Sequence, residues 1–158
     1  MSFKKILAVV FLFVGLGVNA QEVKDDYVIK DPVSTEGWSN NANESFKKMK
    51  IENAPLMMNF TGSDWCIWCK RIKAEIFETP EFKAWVKEKN LVLLELDFPR
   101  NKEQSDMLKA QNNSLKQEVG IQGFPTLIII ANGKMIRTGY VKGGAKAWIA
   151  SVESQIEI

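Results

Sequence analysis

The chain has 158 residues, with 21 basic and 19 acidic side chains, a formal net charge of +2, two cysteines and no histidine. That length sets one domain as the default, and the near-balanced charge leaves no electrostatic footprint for nucleic acid or an anionic membrane surface. A zinc site needs about four ligands, so two cysteines without histidine would have to be completed by carboxylates or a second chain.

The first twenty residues read as a secretory signal peptide. Lys4 and Lys5 form a positive start, residues 6–18 are apolar apart from Gly15 and Gly17, and Val18-Asn19-Ala20 offers a cleavage site before Gln21. An uncleaved anchor is the alternative, but the run is shorter than the roughly 20 residues that span a bilayer. No cysteine follows the cleavage site to carry a lipid, and no second long apolar run appears, so no stable membrane insertion is expected once the signal is removed. Without Lys4 and Lys5 the remaining cations and anions balance. Export, to a periplasm or outside the cell, places the protein where disulfides form and persist.

Residues 21–37 are polar, carry Pro32 and show no sustained period, which predicts a lead-in segment with a short edge strand at 27–29. The domain proper is expected over residues 38–158, with Trp38 as a packing anchor. Asn40 and Asn41 are N-cap candidates for a helix to about Ile51, with Phe46, Met49 and Ile51 facing inward. Residues 55–60 form an apolar run that predicts a buried central strand, with residues 61–64 as its exit loop.

A helix is predicted over residues 66–77, with Trp68, Ile72 and Ile76 as its apolar stripe. Thr79 and Pro80 break it and open a second short helix that buries Phe82, Trp85 and Val86. Asn90 closes that helix, and residues 91–97 read as a strand ending at Phe98-Pro99. Residues 102–118 have helical composition, with Met107, Leu108, Leu115 and Val119 as apolar positions, a kink around 111–114 and a stop at Gly120. Residues 126–130 carry the strongest β signal, Asn132-Gly133 predicts a type I′ turn, and residues 134–140 return antiparallel. After Gly143-Gly144 a last helix over 145–156 presents Ala147, Trp148, Val152 and Ile156 on one side. Strands separated by helices need parallel crossovers and the final pair is a hairpin, so the predicted fold is α/β with a mixed sheet.

The two cysteines lie in Trp65-Cys66-Ile67-Trp68-Cys69-Lys70, where the central strand gives way to a helix. A helix N-terminus presents free N–H groups and about half a positive charge, which stabilises the thiolate of Cys66 and lowers its pKa. Cys66 is the expected nucleophile, and Cys69, one turn on, is placed to attack the mixed disulfide that Cys66 forms. Covalent haem attachment requires histidine where this chain has Lys70. A purely structural disulfide across so short a loop removes little entropy from the unfolded chain. Redox use of the pair is the remaining reading, acting on the disulfides of other proteins.

Trp-Cys-x-x-Cys-Lys, together with Gly123-Phe124-Pro125-Thr126 ahead of the hairpin, resembles the thioredoxin superfamily from about residue 40 to the C-terminus. The longer run from Phe60 to Cys69 looks like exported single-domain bacterial members, some of which act as disulfide reductases or interchange proteins. The resemblance implies a mixed central sheet flanked by helices, with a cis-Pro loop at Pro125 opposite the cysteines. Phe124, Pro125 and Thr126 would then hold an extended substrate through backbone pairing. Trp65 and Trp68 offer an apolar platform, although helical phase places Trp68 with Ile72 toward the core and Trp65 at the surface.

Three further positions bear on the cysteine pKa values. Asn59 aligns best with the family's buried proton-accepting Asp, and an amide cannot titrate, so Asp64 or a water would serve as base; a one-residue shift in alignment is the alternative. Lys70 and Asp64 bring opposite charges that partly cancel. Ile67-Trp68 between the cysteines lacks the histidine of strong oxidants, which places the potential toward the reducing side. The expectation is therefore an extracytoplasmic thiol:disulfide oxidoreductase, mainly reductase or isomerase, with no cofactor, acting on protein disulfides and recharged by a membrane electron donor of the disulfide-interchange type. Alternatives are a dedicated reductant for cytochrome c maturation or a peroxidase, and a redox-inactive chaperone module.

Overall fold

The structure, a computed structural model, describes residues 29–158. The predicted signal peptide and most of the predicted 27–29 strand lie outside the described residues. Helix α1, Ala42–Glu52, starts where the Asn41 side chain accepts the Glu44 N–H and ends at Asn53, which is left-handed at φ 48°. Phe46 and Met49 pack inward, but Ile51 is 73% exposed. Ile51 is two residues past Met49, about 200° around the helix, and so falls on the opposite face.

Strand β1, Leu56–Thr61, is buried along its whole length because it is central and both its faces are covered. It pairs in parallel with β2, Val92–Asp97, and antiparallel with β3, Thr126–Ala131, which pairs antiparallel with β4, Lys134–Thr138. The sheet order is β2-β1-β3-β4. Alternation then divides the core: Leu56, Met58 and Phe60 join Leu94, Leu96, Ile128 and Ile130 on one face, while Met57 joins Leu127 and Ile129 on the other. Asn132 and Gly133, at φ 49° and 72°, make the tight turn between β3 and β4. The return strand stops at Thr138, two residues short of the expected end.

Helix α2, Ile67–Ile72, continues directly into a π-helical turn, Lys73–Phe77. Its inward stripe is Cys69, Ile72 and Ile76, all buried, which leaves Trp68 half exposed at 50%. The predicted core position of Trp68 is therefore wrong, since the stripe begins one residue later at Cys69. Thr79 caps α3, Pro80–Glu88, which buries Phe82 and Trp85. Helix α4, Asp106–Glu118, begins four residues later than predicted because Ser105, not a residue near 102, accepts the Leu108 N–H as N-cap. Met107 is consequently exposed at 43%. The helix runs through 111–114 unbroken; Asn112 is buried there and donates to the Asp97 carbonyl at 2.9 Å. Helix α5, Gly144–Glu153, buries Trp148 and Val152 against α3 and the π-turn, and ends before Ile156.

Ahead of α1, residues 31–39 strap the β2 edge. Ser39 bridges Leu94 in parallel, Ser34 donates from its backbone N–H and its hydroxyl to the Glu95 carboxylate at 2.5 and 2.7 Å, and Asp31 accepts from the Ser105 amide and hydroxyl at 2.7 and 2.8 Å.

Candidate active site

The C-terminal end of β1 aims the chain at the start of α2, and the turn between them places Cys66 as its N-cap. Cys66 and Cys69 are joined as a disulfide, with Cα atoms 5.2 Å apart. The Cys66 Sγ accepts the Cys69 backbone N–H at 3.1 Å. That donor is one of those a helix leaves unpaired at its start, and aimed at sulfur it favours the anionic form released on reduction. Both cysteines are buried in the disulfide form.

Trp65 lies across Gly62. A Cβ on Gly62 would come within 2.5 Å of the indole, so glycine is what lets the ring lie on the backbone. The indole Nε1–H donates to the Phe98 carbonyl at 2.8 Å, and the ring meets Phe124 edge-on with centroids 5.8 Å apart. Phe124-Pro125 is a cis peptide bond, and the Thr126 hydroxyl donates back to the Gly123 carbonyl at 2.8 Å. The Trp65–Phe124 contact thus brings the cis-Pro loop to the flank of the cysteine turn.

On the other flank Trp68 packs against Tyr140 at 5.5 Å between centroids, with the Arg71 guanidinium over both rings. Glu75 accepts from the Tyr140 hydroxyl and from Arg71. These two bonds, Tyr140 first, hold its carboxyl below the ordinary range. Arg71 and Tyr140 escaped the sequence reading because their contacts join helix α2 to the segment after β4, and no local motif marks that meeting.

Asp64 is fully engaged. The Arg100 amide donates to both its oxygens at 3.0 and 3.1 Å, and the Asn101 amide donates to one at 2.6 Å. Partial burial works to raise its carboxyl, but the Asn101 and Arg100 amides more than offset this and keep it below its usual value. Lys70 reaches the Asp64 carbonyl at 2.8 Å, not its carboxylate. Asn59 is buried, and its Oδ1 lacks a hydrogen-bond partner. It shares the sheet face of Met57, which packs with Ile72 and Ile76 of the cysteine helix and its π-turn. Lying two residues nearer the cysteine end of β1, Asn59 sits beneath the helix start, with Glu95 as its register partner on β2.

A disulfide at a helix N-cap, flanked by aromatic rings and a cis-Pro loop on a mixed sheet, defines a thiol–disulfide exchange protein. The chain belongs to the thioredoxin-like family: it matches the thioredoxin-like domain over residues 42–152. It is 34% identical over 123 residues to the disulfide bond reductase DsbH of Chlamydia pneumoniae, covering 77% of this chain and 73% of that protein. A solved structure of DsbH oxidoreductase matches at TM-score 0.68 with 31% identity, covering 88% of this chain and 93% of that one. The DsbD C-terminal domain of Neisseria meningitidis, in its oxidised form, matches at TM-score 0.51 with 20% identity over 73% of this chain and 91% of that domain, a likeness of fold alone. The chain is a thiol:disulfide oxidoreductase.

Proposed function

We propose that this oxidoreductase works outside the cytoplasm, mainly as a disulfide reductase or isomerase for protein substrates. The observation that carries the reading is the Cys69 amide directed at Cys66 Sγ beside the Phe124-Pro125 loop. In the dithiol form the Cys66 thiolate attacks one sulfur of a substrate disulfide, forming a mixed disulfide and releasing the other substrate sulfur as a thiolate. Cys69, deprotonated, then attacks Cys66 Sγ, regenerating the intramolecular disulfide and releasing the second substrate thiolate. Two electrons pass to the substrate, and a membrane donor of the disulfide-interchange type returns them. Cys66, Cys69 and the backbone at Phe124 are the reacting and holding groups, with Trp65, Trp68, Pro125 and Thr126 shaping the approach. The leader-like residues 1–20 and the similarity to a protein named as a disulfide bond reductase support this reading.

Insulin reduction should be lost in Cys66→Ser, while Cys69→Ser should accumulate a mixed disulfide that dithiothreitol releases. Wild-type turnover by Cys66→Ser would overturn the mechanism. A reduction potential near about −270 mV fits delivery of electrons, whereas one near about −120 mV would reverse the direction.

A further inference from the structure

One side of the cysteine turn carries an aromatic ledge with cations seated on it. Trp65, Phe124 and Phe98 are linked ring to ring, with Phe98 and Phe124 centroids 5.1 Å apart. The Arg100 guanidinium stands 4.0 Å over Trp65, and Lys116 Nζ stands 5.4 and 5.5 Å from the Phe98 and Phe124 centroids. The nearby carboxylates are already used: Asp97 by the Ser63 amide and hydroxyl, Asp64 by the backbone amides of Arg100 and Asn101 with Lys102 acting on it as well. Among the described residues neither Arg100 nor Lys116 forms an ion pair. Glu103 in the same loop offsets one charge, and Lys70 beside the cysteines adds one.

A cation held over an aromatic face keeps its position and part of its charge unsatisfied, so an arriving carboxylate meets a preorganised partner. The chain as a whole is close to charge balance, which makes this a local feature and not a general affinity for polyanions. Resting on the reductase reading, we propose that the Trp65–Phe98–Phe124 ledge, through Arg100 and Lys116, recognises an extended polypeptide that carries Asp or Glu next to the disulfide under attack. A segment laid along the Phe124 backbone with its disulfide at Cys66 passes the ledge on the Trp65 side, so acidic residues flanking its cystine face Arg100 and Lys116. Such complementarity speeds encounter and fixes register more than it adds affinity.

The test uses two cystine peptides that are identical except for Asp/Glu or Lys flanks, reduced by the full dithiol chain. Each rate is divided by that of the same peptide with dithiothreitol, which removes the intrinsic reactivity of the peptide. At low salt the acidic peptide should be preferred by about tenfold or more. The preference should collapse toward one at about 1 M salt, where the screening length falls to about 3 Å, and in the Arg100→Gln/Lys116→Gln variant. Equal rates at low salt, or a preference that the double variant retains, would overturn the proposal while leaving the reductase reading standing. Failure to reduce either peptide would overturn both.

Discussion

Gly62 shows how much of this site depends on a missing atom. Alanine there would drive a Cβ into the Trp65 indole, and the ring can yield only by giving up its bond to the Phe98 carbonyl and its edge contact with Phe124. Gly62→Ala is expected to cost about 1–3 kcal/mol in urea unfolding and to lower kcat/KM for protein disulfides. Asn59 is the second telling residue, since its buried Oδ1 stands without a donor beneath the cysteine helix. Asn59→Asp would place a carboxyl whose charged form burial disfavours, so its pKa rises on folding. The stability it brings is therefore complete below the unfolded value of about 3.9 and is lost as pH rises through the folded one. Over that same rise the resolving step should accelerate, as stopped-flow tryptophan fluorescence would show. Cys66, Cys69 and the Phe124-Pro125 pair were legible because each lies in a contiguous motif. Arg100 and Tyr140 were not, because each matters through a ring distant in sequence, Trp65 for Arg100 and Trp68 for Tyr140.

Elements were legible where the turn chemistry is local. Asn132-Gly133 predicts its hairpin, Thr79-Pro80 its helix start and Gly120 its helix stop, and each is found there. The start of α4 was misplaced because composition from Lys102 onward favours helix while the decisive hydrogen bond belongs to Ser105. The π-turn had no sequence signature, and it extends the cysteine helix so that Ile76 and Phe77 still reach the core. The strap over β2 was read only as a polar lead-in, since its partners Glu95 and Ser105 are far along the chain. The Ser105 amide, then its hydroxyl, hold the Asp31 carboxyl below its ordinary 3.8 against the opposing effect of partial burial. A carboxylate depressed on folding contributes stability that is present above the unfolded pKa and lost as pH falls through the folded one. Amide exchange and limited proteolysis in residues 31–39 should accordingly report the strap docked from pH 7 to about 5, with docking weakening only once the pH falls below the unfolded value of about 3.9 and lost as it falls through the lower folded value. Asp31→Asn should weaken docking at neutral pH and flatten that dependence.

The whole molecule rests on one four-stranded sheet with a cluster on each face, and the face packed by the cysteine helix is the one that holds the buried tryptophans Trp38, Trp85 and Trp148. Trp148 joins Phe82 and Trp85 there at centroid distances of 6.0 and 5.9 Å and donates its Nε1–H to the Gly139 carbonyl at 3.0 Å. Trp148→Ala is expected to cost about 3–5 kcal/mol, with far-ultraviolet circular dichroism and fluorescence transitions remaining coincident because one shared sheet joins the two clusters into a single domain. The alternation of helix and strand made this architecture readable in advance. The distribution of charge around the site was not readable, because a balanced total conceals where the unpaired cations gather.

Glu95 is buried, and Ser34 supplies both hydrogen bonds to its carboxylate from a segment that precedes the domain's first helix. Synthesis proceeds from the N-terminus, so Ser34 and Asp31 leave the ribosome well before Glu95 and Ser105 exist to receive them. The earliest-made part of the strap thus waits for its partners until loops of 61 and 74 residues have closed. A nascent chain halted before Ser105 emerges would hold its Asp31 carboxylate in water, and this end of the strap would dock only once Ser105 is free of the ribosome.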